Sequence, residues 1–268
     1  MLIVKVPGLN NLGKNDGCGN AGNAILEKLK EIYSNENEKI VDKSKLNIEE
    51  IHLDNNNLEE QEKLIYENAK EILEEQDKAI FLGGDHSISY SIGKAFLDYS
   101  KKKEIGPCLI VFDAHADCMK PVKNPTHEEW LRALIESGFP SENVLLVGAR
   151  NLWQEELNFL QEKGIKKIKI NELINNLEEI TDVIMEFSQG KELYVSFDID
   201  VIDPAFAPST GYLEPCGLTS RQAIYILSRI NKMKNLKIFD LVEINSEKDK
   251  EKDSMTVKLA SKLLAELL

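Results

Sequence analysis

Leu109-Ile110-Val111-Phe112 runs without a break into Asp113-Ala114-His115-Ala116-Asp117. A short apolar run followed at once by cation-binding side chains reads as a buried strand that ends at a polar site. Three further runs repeat the pattern. Ala79-Ile80-Phe81-Leu82 leads into Gly83-Gly84-Asp85-His86-Ser87, and Leu193-Tyr194-Val195-Ser196-Phe197 into Asp198-Ile199-Asp200-Val201-Ile202-Asp203-Pro204. Leu236-Lys237-Ile238-Phe239 reaches Asp240-Leu241-Val242-Glu243. Near-continuous apolar strands separated by helical stretches belong to parallel sheets covered on both faces. Ligands of such sheets bind beyond the carboxyl ends of the strands. The four clusters all sit at those ends and are therefore expected to meet in space.

Four weaker strands read at Leu2–Val6, Glu50–Leu53, Val144–Val147 and Lys167–Ile170. Between the strands lie helical patterns at Ala21–Ser34, Asn57–Gln76, Ser87–Tyr99, His127–Ser137, Gln154–Gly164, Glu178–Gln189, Thr219–Asn231 and Ser254–Leu268. Many carry Glu and Lys on one face and Leu or Ile on the other, as a helix covering a core does. Strands and helices alternate throughout, and no Pro- or Gly-rich linker or internal repeat divides the chain. Residues 1–268 are thus expected to form a single α/β domain.

The 268 residues carry a formal net charge of −13, which argues against nucleic acid and anionic membrane surfaces as partners. It is compatible with a cationic substrate, although a soluble acidic protein would have the same balance. The first residues do not read as a signal peptide, and no apolar stretch approaches the ~20 residues of a membrane span. Cys18, Cys108, Cys118 and Cys216 show no close spacing, so a reducing, cytoplasmic setting is expected.

In Asp113-x-His115-x-Asp117 the spacing has period two. If the strand continued past Phe112, all three side chains would share one face. The same reasoning groups Asp198 with Asp200, and His86 joins from a third strand. Taken singly, an Asp-x-Asp is often a cap or a solvated loop, and a lone histidine a structural one. Together, two histidines and four aspartates are too many for one tetrahedral zinc. They suit two hard divalent ions bridged by carboxylates, with manganese favoured by mixed oxygen and imidazole donors. Buried acids in this number would repel one another without cations.

These segments resemble the signature segments of the ureohydrolase family, which contains arginases and agmatinases. Gly83–Ser87, Asp113–Asp117 and Ser196–Pro208 carry the resemblance, which extends from Val6-Pro7 through Gly217-Leu218 to Glu243. It implies a three-layer fold, an eight-stranded parallel sheet flanked by helices. It implies two Mn2+ ions per subunit, bridged by Asp113 and Asp198, with His86 and Asp117 completing one and His115 and Asp200 the other. Water between two such ions loses a proton near neutral pH, and the hydroxide attacks the guanidinium carbon, releasing urea and an amine. Asp117 would orient that hydroxide, and Glu243 would pair with the substrate guanidinium, where it is not merely a strand-end acid.

His127 stands where agmatinases carry a proton-shuttling histidine. It also reads as part of a helix start, with Thr126 as N-cap and Glu129 three residues on. The Ser-Gly-Asn-x-His-Gly segment by which arginases read an amino acid is absent, and so is their Asp after a Gly-x-Arg-Asp turn. Trp153 falls about where that acid would be. It reads either as a wall for a decarboxylated guanidine or as ordinary packing at a helix start or subunit contact. Tyr212-Leu213 replaces the usual Thr-Pro, and the segment from Gly17 to Ile25 lacks the usual Gly-Pro. The expected reaction is hydrolysis of agmatine to putrescine and urea, a step in polyamine biosynthesis. Arginase or another guanidino-acid ureohydrolase is the alternative, and a non-catalytic metal-binding member the rival from another class. The resemblance further implies a homotrimer or homohexamer.

Overall fold

A computed structural model describes residues 1–10 and 12–268. In chain order the first half comprises β1 (Leu2–Val6), α1 (Ala21–Leu29), β2 (Asn47–Glu50), α2 (Leu58–Glu75), β3 (Ala79–Gly83), α3 (Ile88–Lys103), β4 (Pro107–Phe112) and α4 (Trp130–Glu136). The second half comprises β5 (Val144–Val147), α5 (Gln154–Glu162), β6 (Lys166–Ile168), α6 (Ile170–Asn175), α7 (Leu177–Phe187), β7 (Glu192–Asp198), α8 (Ser220–Ile230), β8 (Leu236–Val242), α9 (Ser246–Asp249) and α10 (Met255–Leu267).

All eight strands pair in parallel, in the order β2-β1-β3-β8-β7-β4-β5-β6. Alternate residues of each strand feed two separate cores, which makes three layers. Ile80, Ile110, Val195 and Phe239 pack with α1, α6, α7, α8 and α10 on one face. Phe81, Leu109, Tyr194 and Ile238 pack with α2, α3, α4 and α5 on the other. The helices begin where side chains satisfy the free N–H groups of the first turn. Asn57 accepts the N–H of Glu60 ahead of α2, and Thr219 with Gln222 forms a reciprocal capping box ahead of α8. Among the described residues, no helix is long and apolar enough to cross a membrane.

Several boundaries differ from those expected, and three of them show why. The second strand lies at Asn47–Glu50 rather than Glu50–Leu53. Its residues are largely exposed at the sheet edge and pair Leu2 with Asn47 through Lys5 with Glu50. An edge strand needs backbone pairing more than apolar side chains, and charged residues protect it, so the apolar pattern of Ile51-His52-Leu53 pointed to the wrong segment. The sixth strand stops at Ile168, because the Glu172 carboxylate accepts the Lys169 N–H and opens α6 at Ile170. The fourth helix starts at Trp130, not His127. Thr126 and Glu129 do bond each other as expected, but around a turn that precedes the helix.

Backbones approach closely beneath the strand ends. Gly84 donates its N–H to Val6 and accepts the N–H of Glu243, tying β1, β3 and β8 together. A Cβ on Gly84 would stand 2.0 Å from the Gly8 carbonyl oxygen. We expect Gly84→Ala to destabilise the protein by about 3 kcal/mol through this overpacking; a urea midpoint unchanged from wild type would contradict the close approach.

Candidate active site

β4 leads on towards β5 and β6, whereas β7 leads the opposite way to β8, so the connections diverge between β4 and β7. A parallel sheet opens a crevice at such a switch point. The ends of β4 and β7 place Asp113, His115, Asp117, Asp198 and Asp200 there, and β3 and β8 add His86 and Glu243.

The six expected metal ligands are brought together, though not by prolonged strands. β4 ends at Phe112, and the chain then turns, with the His115 N–H bonded to Asp113 Oδ1 at 2.7 Å and the Ala114 N–H to Asp200 Oδ1 at 3.0 Å. Asp117 adopts left-handed backbone (φ 49°), one of the few non-glycine types that tolerates it. Likewise Ile199–Val201 is a single 3-10 turn, with the Asp200 N–H bonded to Asp198 Oδ1 at 2.7 Å. Turns closed by the carboxylates themselves, not pleat alternation, aim these side chains.

His86 Nδ1 lies 3.1 Å from Asp113 Oδ2, 3.1 Å from Asp117 Oδ2 and 3.2 Å from Asp198 Oδ2. Yet both His86 Nδ1 and Asp113 Oδ2 lack a partner in hydrogen-bond geometry among the described residues. His115 Nδ1 stands 2.9 Å from Asp200 Oδ2 and 3.6 Å from Asp113 Oδ1. Asp113 therefore spans two groups of candidate donors, His86 with Asp198 and His115 with Asp200. Asp198 falls in the first group, and its Oδ1, like that of Asp113, also accepts a backbone N–H. Oxygen and imidazole donors meeting without bonding one another fit a pair of hard or borderline divalent cations.

A buried shell orients these donors. His86 Nε2 meets Ser196 Oγ at 2.9 Å, and that hydroxyl donates to Asp240 Oδ1 at 2.7 Å. The Ser196 oxygen is then an acceptor for His86, which puts the imidazole proton on Nε2 and leaves the Nδ1 lone pair facing the acids, as metal-bound histidines require. Asp240 also takes the hydroxyls of Ser89 and Tyr194. Trp130 Nε1 donates to Asp117 Oδ2 at 2.8 Å.

The cluster is short of positive charge. Burial, and then the charge of Asp113, push the Asp117 carboxyl up to about 7. Burial and the neighbouring Asp200 and Asp113 hold Asp198 well above the carboxylate range. Burial and Asp85 do the same to Glu243. Burial works against protonating His86 and His115, but the surrounding carboxylates outweigh it and raise both.

Outside the cluster lies a cavity of about 210 Å³ lined by His115, Asp117, Met119, His127, Glu128, Asn151, Trp153, Glu156, Tyr212 and Glu214. His127 and Trp153 thus line it, but Glu243 does not. Glu243 is buried, with Oε1 accepting the His86 N–H at 2.8 Å and Asn15 Nδ2 at 3.1 Å, while among the described residues Oε2 meets only the Cys18 thiol at 3.9 Å. Trp153 combines a place on the cavity with a place at a helix start. It is largely exposed at the cavity edge and precedes α5, donating its N–H to Glu156 Oε2 at 2.9 Å. Glu156 Oε1 accepts the Cys118 N–H at 3.0 Å, so one carboxylate ties two loops of the rim together.

Glu214, Glu128 and Tyr212 were not expected as lining residues. Glu214 Oε1 is 3.5 Å from His115 Nε2, and the ring of Tyr212 lies 5.8 Å from that of His127. The one available signal was the Tyr212-Leu213 departure in the loop that carries Glu214. Arg150, just after β5, anchors that loop by donating to the carbonyls of Pro215 and Glu214 on one side and Asp200 and Val201 on the other.

The arginase family model matches residues 1–268. The chain belongs to the arginase family. Among relatives, it is 32% identical over 210 residues to the agmatinase of Bacillus subtilis (strain 168), spanning 76% of this chain and 68% of that protein. It is 31% identical over 209 residues to mitochondrial Arginase 1 of Oryza sativa subsp. indica, spanning 76% of this chain but only 58% of the rice protein. The formimidoylglutamase of Bacillus subtilis superimposes with a TM-score of 0.87 at 21% identity, covering 99% of this chain and 85% of that one. This arginase-family chain thus shares its fold with enzymes of different substrates.

Ligation requires neutral imidazoles and ionised carboxyls, so filling the site must expel protons. We expect manganese binding followed by calorimetry at pH 6.5 to release protons, seen as a heat that varies with the buffer's ionisation enthalpy. The release should shrink as pH rises through 7, where Asp117 deprotonates unaided. Metal-free, Asp117 is raised from 3.8 to about 7, so the fold retains a proton that the unfolded chain lacks. The stabilisation from this group is present at low pH and lost as pH rises through that window. A buffer-independent heat would contradict the assignment. Asp113→Asn, alone among single ligand changes, should abolish retention of both ions, measured by elemental analysis after desalting.

Proposed function

We propose that this protein is a binuclear manganese ureohydrolase that hydrolyses agmatine to putrescine and urea. The observation that carries the reading is the cavity beside His115 and Asp117. Its lining holds four carboxylates, from Asp117, Glu128, Glu156 and Glu214, and two aromatic rings, but no lysine or arginine. A linear molecule cationic at both ends suits such walls. A free amino-acid carboxylate would be placed among like charges.

The six donors His86, Asp113, His115, Asp117, Asp198 and Asp200 would hold the ions. Bound manganese supplies Lewis acidity and activates water as a nucleophile at neutral pH. Asp117 both joins the donors and lines the cavity, so its carboxylate, steadied by Trp130, orients the attacking water. Glu243 is assigned to the guanidinium, supported by its weakly engaged Oε2 and its shortage of positive charge. Gly211 packs beside that oxygen, and its neighbour Tyr212 lines the cavity, so this segment sets how deeply the guanidinium reaches. Glu214 and Glu128 would receive the distal ammonium, with Trp153 covering the methylene chain. We read residues 1–268 as one catalytic unit that works in the cytoplasm, a reading supported by its four free cysteines, and that assembles as a homotrimer or homohexamer, a reading supported by family resemblance.

A second reading has one observation in its favour. Lys14 Nζ lies 5.7 Å from the centre of the Tyr212 ring, where it would meet the carboxylate of a guanidino acid. Urea release by manganese-loaded protein from agmatine, arginine and guanidinobutyrate separates the readings, with Asp198→Ala as the inactive control. Agmatine should be preferred, and Glu214→Gln should lower its kcat/KM roughly tenfold. Preference for arginine or guanidinobutyrate would support the guanidino-acid reading. Silence on every guanidine with two ions bound would overturn catalysis in favour of metal binding alone.

A further inference from the structure

Behind His127 stands Asn10, just beyond β1, and both ends of its buried side-chain amide are engaged. Oδ1 accepts the N–H of Leu12 at 2.8 Å. That bond assigns the amide's orientation, so Nδ2 is the atom 3.0 Å from His127 Nδ1. An amide nitrogen only donates. His127 Nδ1 is therefore the acceptor, and the ring proton of neutral His127 resides on Nε2. That atom is buried, has no partner among the described residues, and belongs to a side chain lining the cavity.

Asn10 is itself anchored. Its backbone N–H donates to Asp85 Oδ2 at 2.7 Å, while Asp85 Oδ1 receives the N–H and hydroxyl of Ser87. The polar segment beside His86 thus reaches His127 through one asparagine. We infer that Asn10 is a positioning residue, holding His127 as the neutral Nε2–H tautomer so that the imidazole offers a hydrogen-bond donor to whatever occupies the cavity.

Taking up a second proton would put an N–H at Nδ1 against the Asn10 N–H, and the amide cannot turn without breaking its bond to Leu12. His127 then orients a nitrogen of the ligand through a donated hydrogen bond rather than carrying protons. The charged and titratable groups around it fit this state. Glu128, Asp117, Glu156 and Glu214 line the same cavity, and Tyr212 lies against the ring with Lys14 over its phenol. Glu62 of α2 lines a small void on the far side of Asn10. Burial first, then His86 and His115, push the His127 imidazole down to about 4.

The assignment rests on reading the cavity as the substrate site, but its test does not depend on turnover. The chain's four histidines, labelled with 15N and observed in protein loaded with zinc as a diamagnetic ion, report each tautomer directly. His127→Gln identifies the resonances of interest. We expect a protonated Nε2 and an unprotonated Nδ1 from pH 8 to pH 5. In Asn10→Asp the carboxylate accepts instead, and the His127 pair should move to Nδ1–H or imidazolium positions at pH 7. In the active enzyme the same variant should lose kcat at least roughly tenfold, with KM changed less. An Nδ1–H or charged His127 in the wild type overturns the inference, as do resonances that ignore Asn10→Asp. A protein inactive on all guanidines but showing the expected tautomer would refute the substrate reading and leave the Asn10 assignment standing.

Discussion

Carboxylates do not share a dry space without opposite charge. Asp113, Asp117, Asp198 and Asp200 are all buried at the ends of two neighbouring strands, together with only two imidazoles. At low dielectric, mutual repulsion and lost hydration favour protonation, which raises Asp117 and Asp198, whereas at Asp113 the neighbouring imidazoles outweigh burial and lower it. Cations relieve the same strain while leaving the carboxylates ionised. The surrounding structure reads as a frame that keeps these groups together against their own electrostatics.

That frame is mostly hydrogen-bonded. Asp240 sits in a strand otherwise apolar but for Lys237 and is fully buried, where its four donors satisfy it. Through Ser196 it fixes the ring of His86. Glu156 joins the loop after Asp117 to the loop before α5, and Arg150 holds the Glu214 loop against the turn that presents Asp200. Each fixes the aim of a neighbouring acid or imidazole by bonding its other atoms or its backbone, as supporting residues of metal sites do.

The sheet, its parallel sense, seven of its eight strands and the six candidate ligands were legible in the sequence because each is written locally. An apolar run records burial on both faces, and the polar cluster after it records a strand end. The edge strand Asn47–Glu50 was missed because pairing at an exposed edge leaves little hydrophobic trace. The period-two account of Asp113, His115 and Asp117 grouped the right residues by a geometry that the turn replaces. Asn10 and Glu214 were illegible for another reason, and Tyr212 showed only as a departure in its loop. Their meaning lies in partners 117 residues away or across a cavity, and an isolated asparagine or a loop glutamate carries no pattern of its own. The burial of Glu243 likewise depends on Asn15 and Cys18, which arrive from the opposite end of the chain.

The strand order has a bearing on how such a molecule is made. β3 and β4 are consecutive in sequence, yet β8 and β7 lie between them. A growing chain can complete β3, α3 and β4 and still leave a two-strand gap in the sheet, with His86 on one bank and Asp113 on the other. Only when the last third of the polypeptide has been synthesised do β7 and β8 enter that gap, carrying Asp198, Asp200 and Glu243. The acids are thus kept apart until the final strands are inserted, and the step that closes the sheet is the step that creates the repulsion. Metal ions captured then would act as late folding ligands, drawing in the strands that the other acids resist.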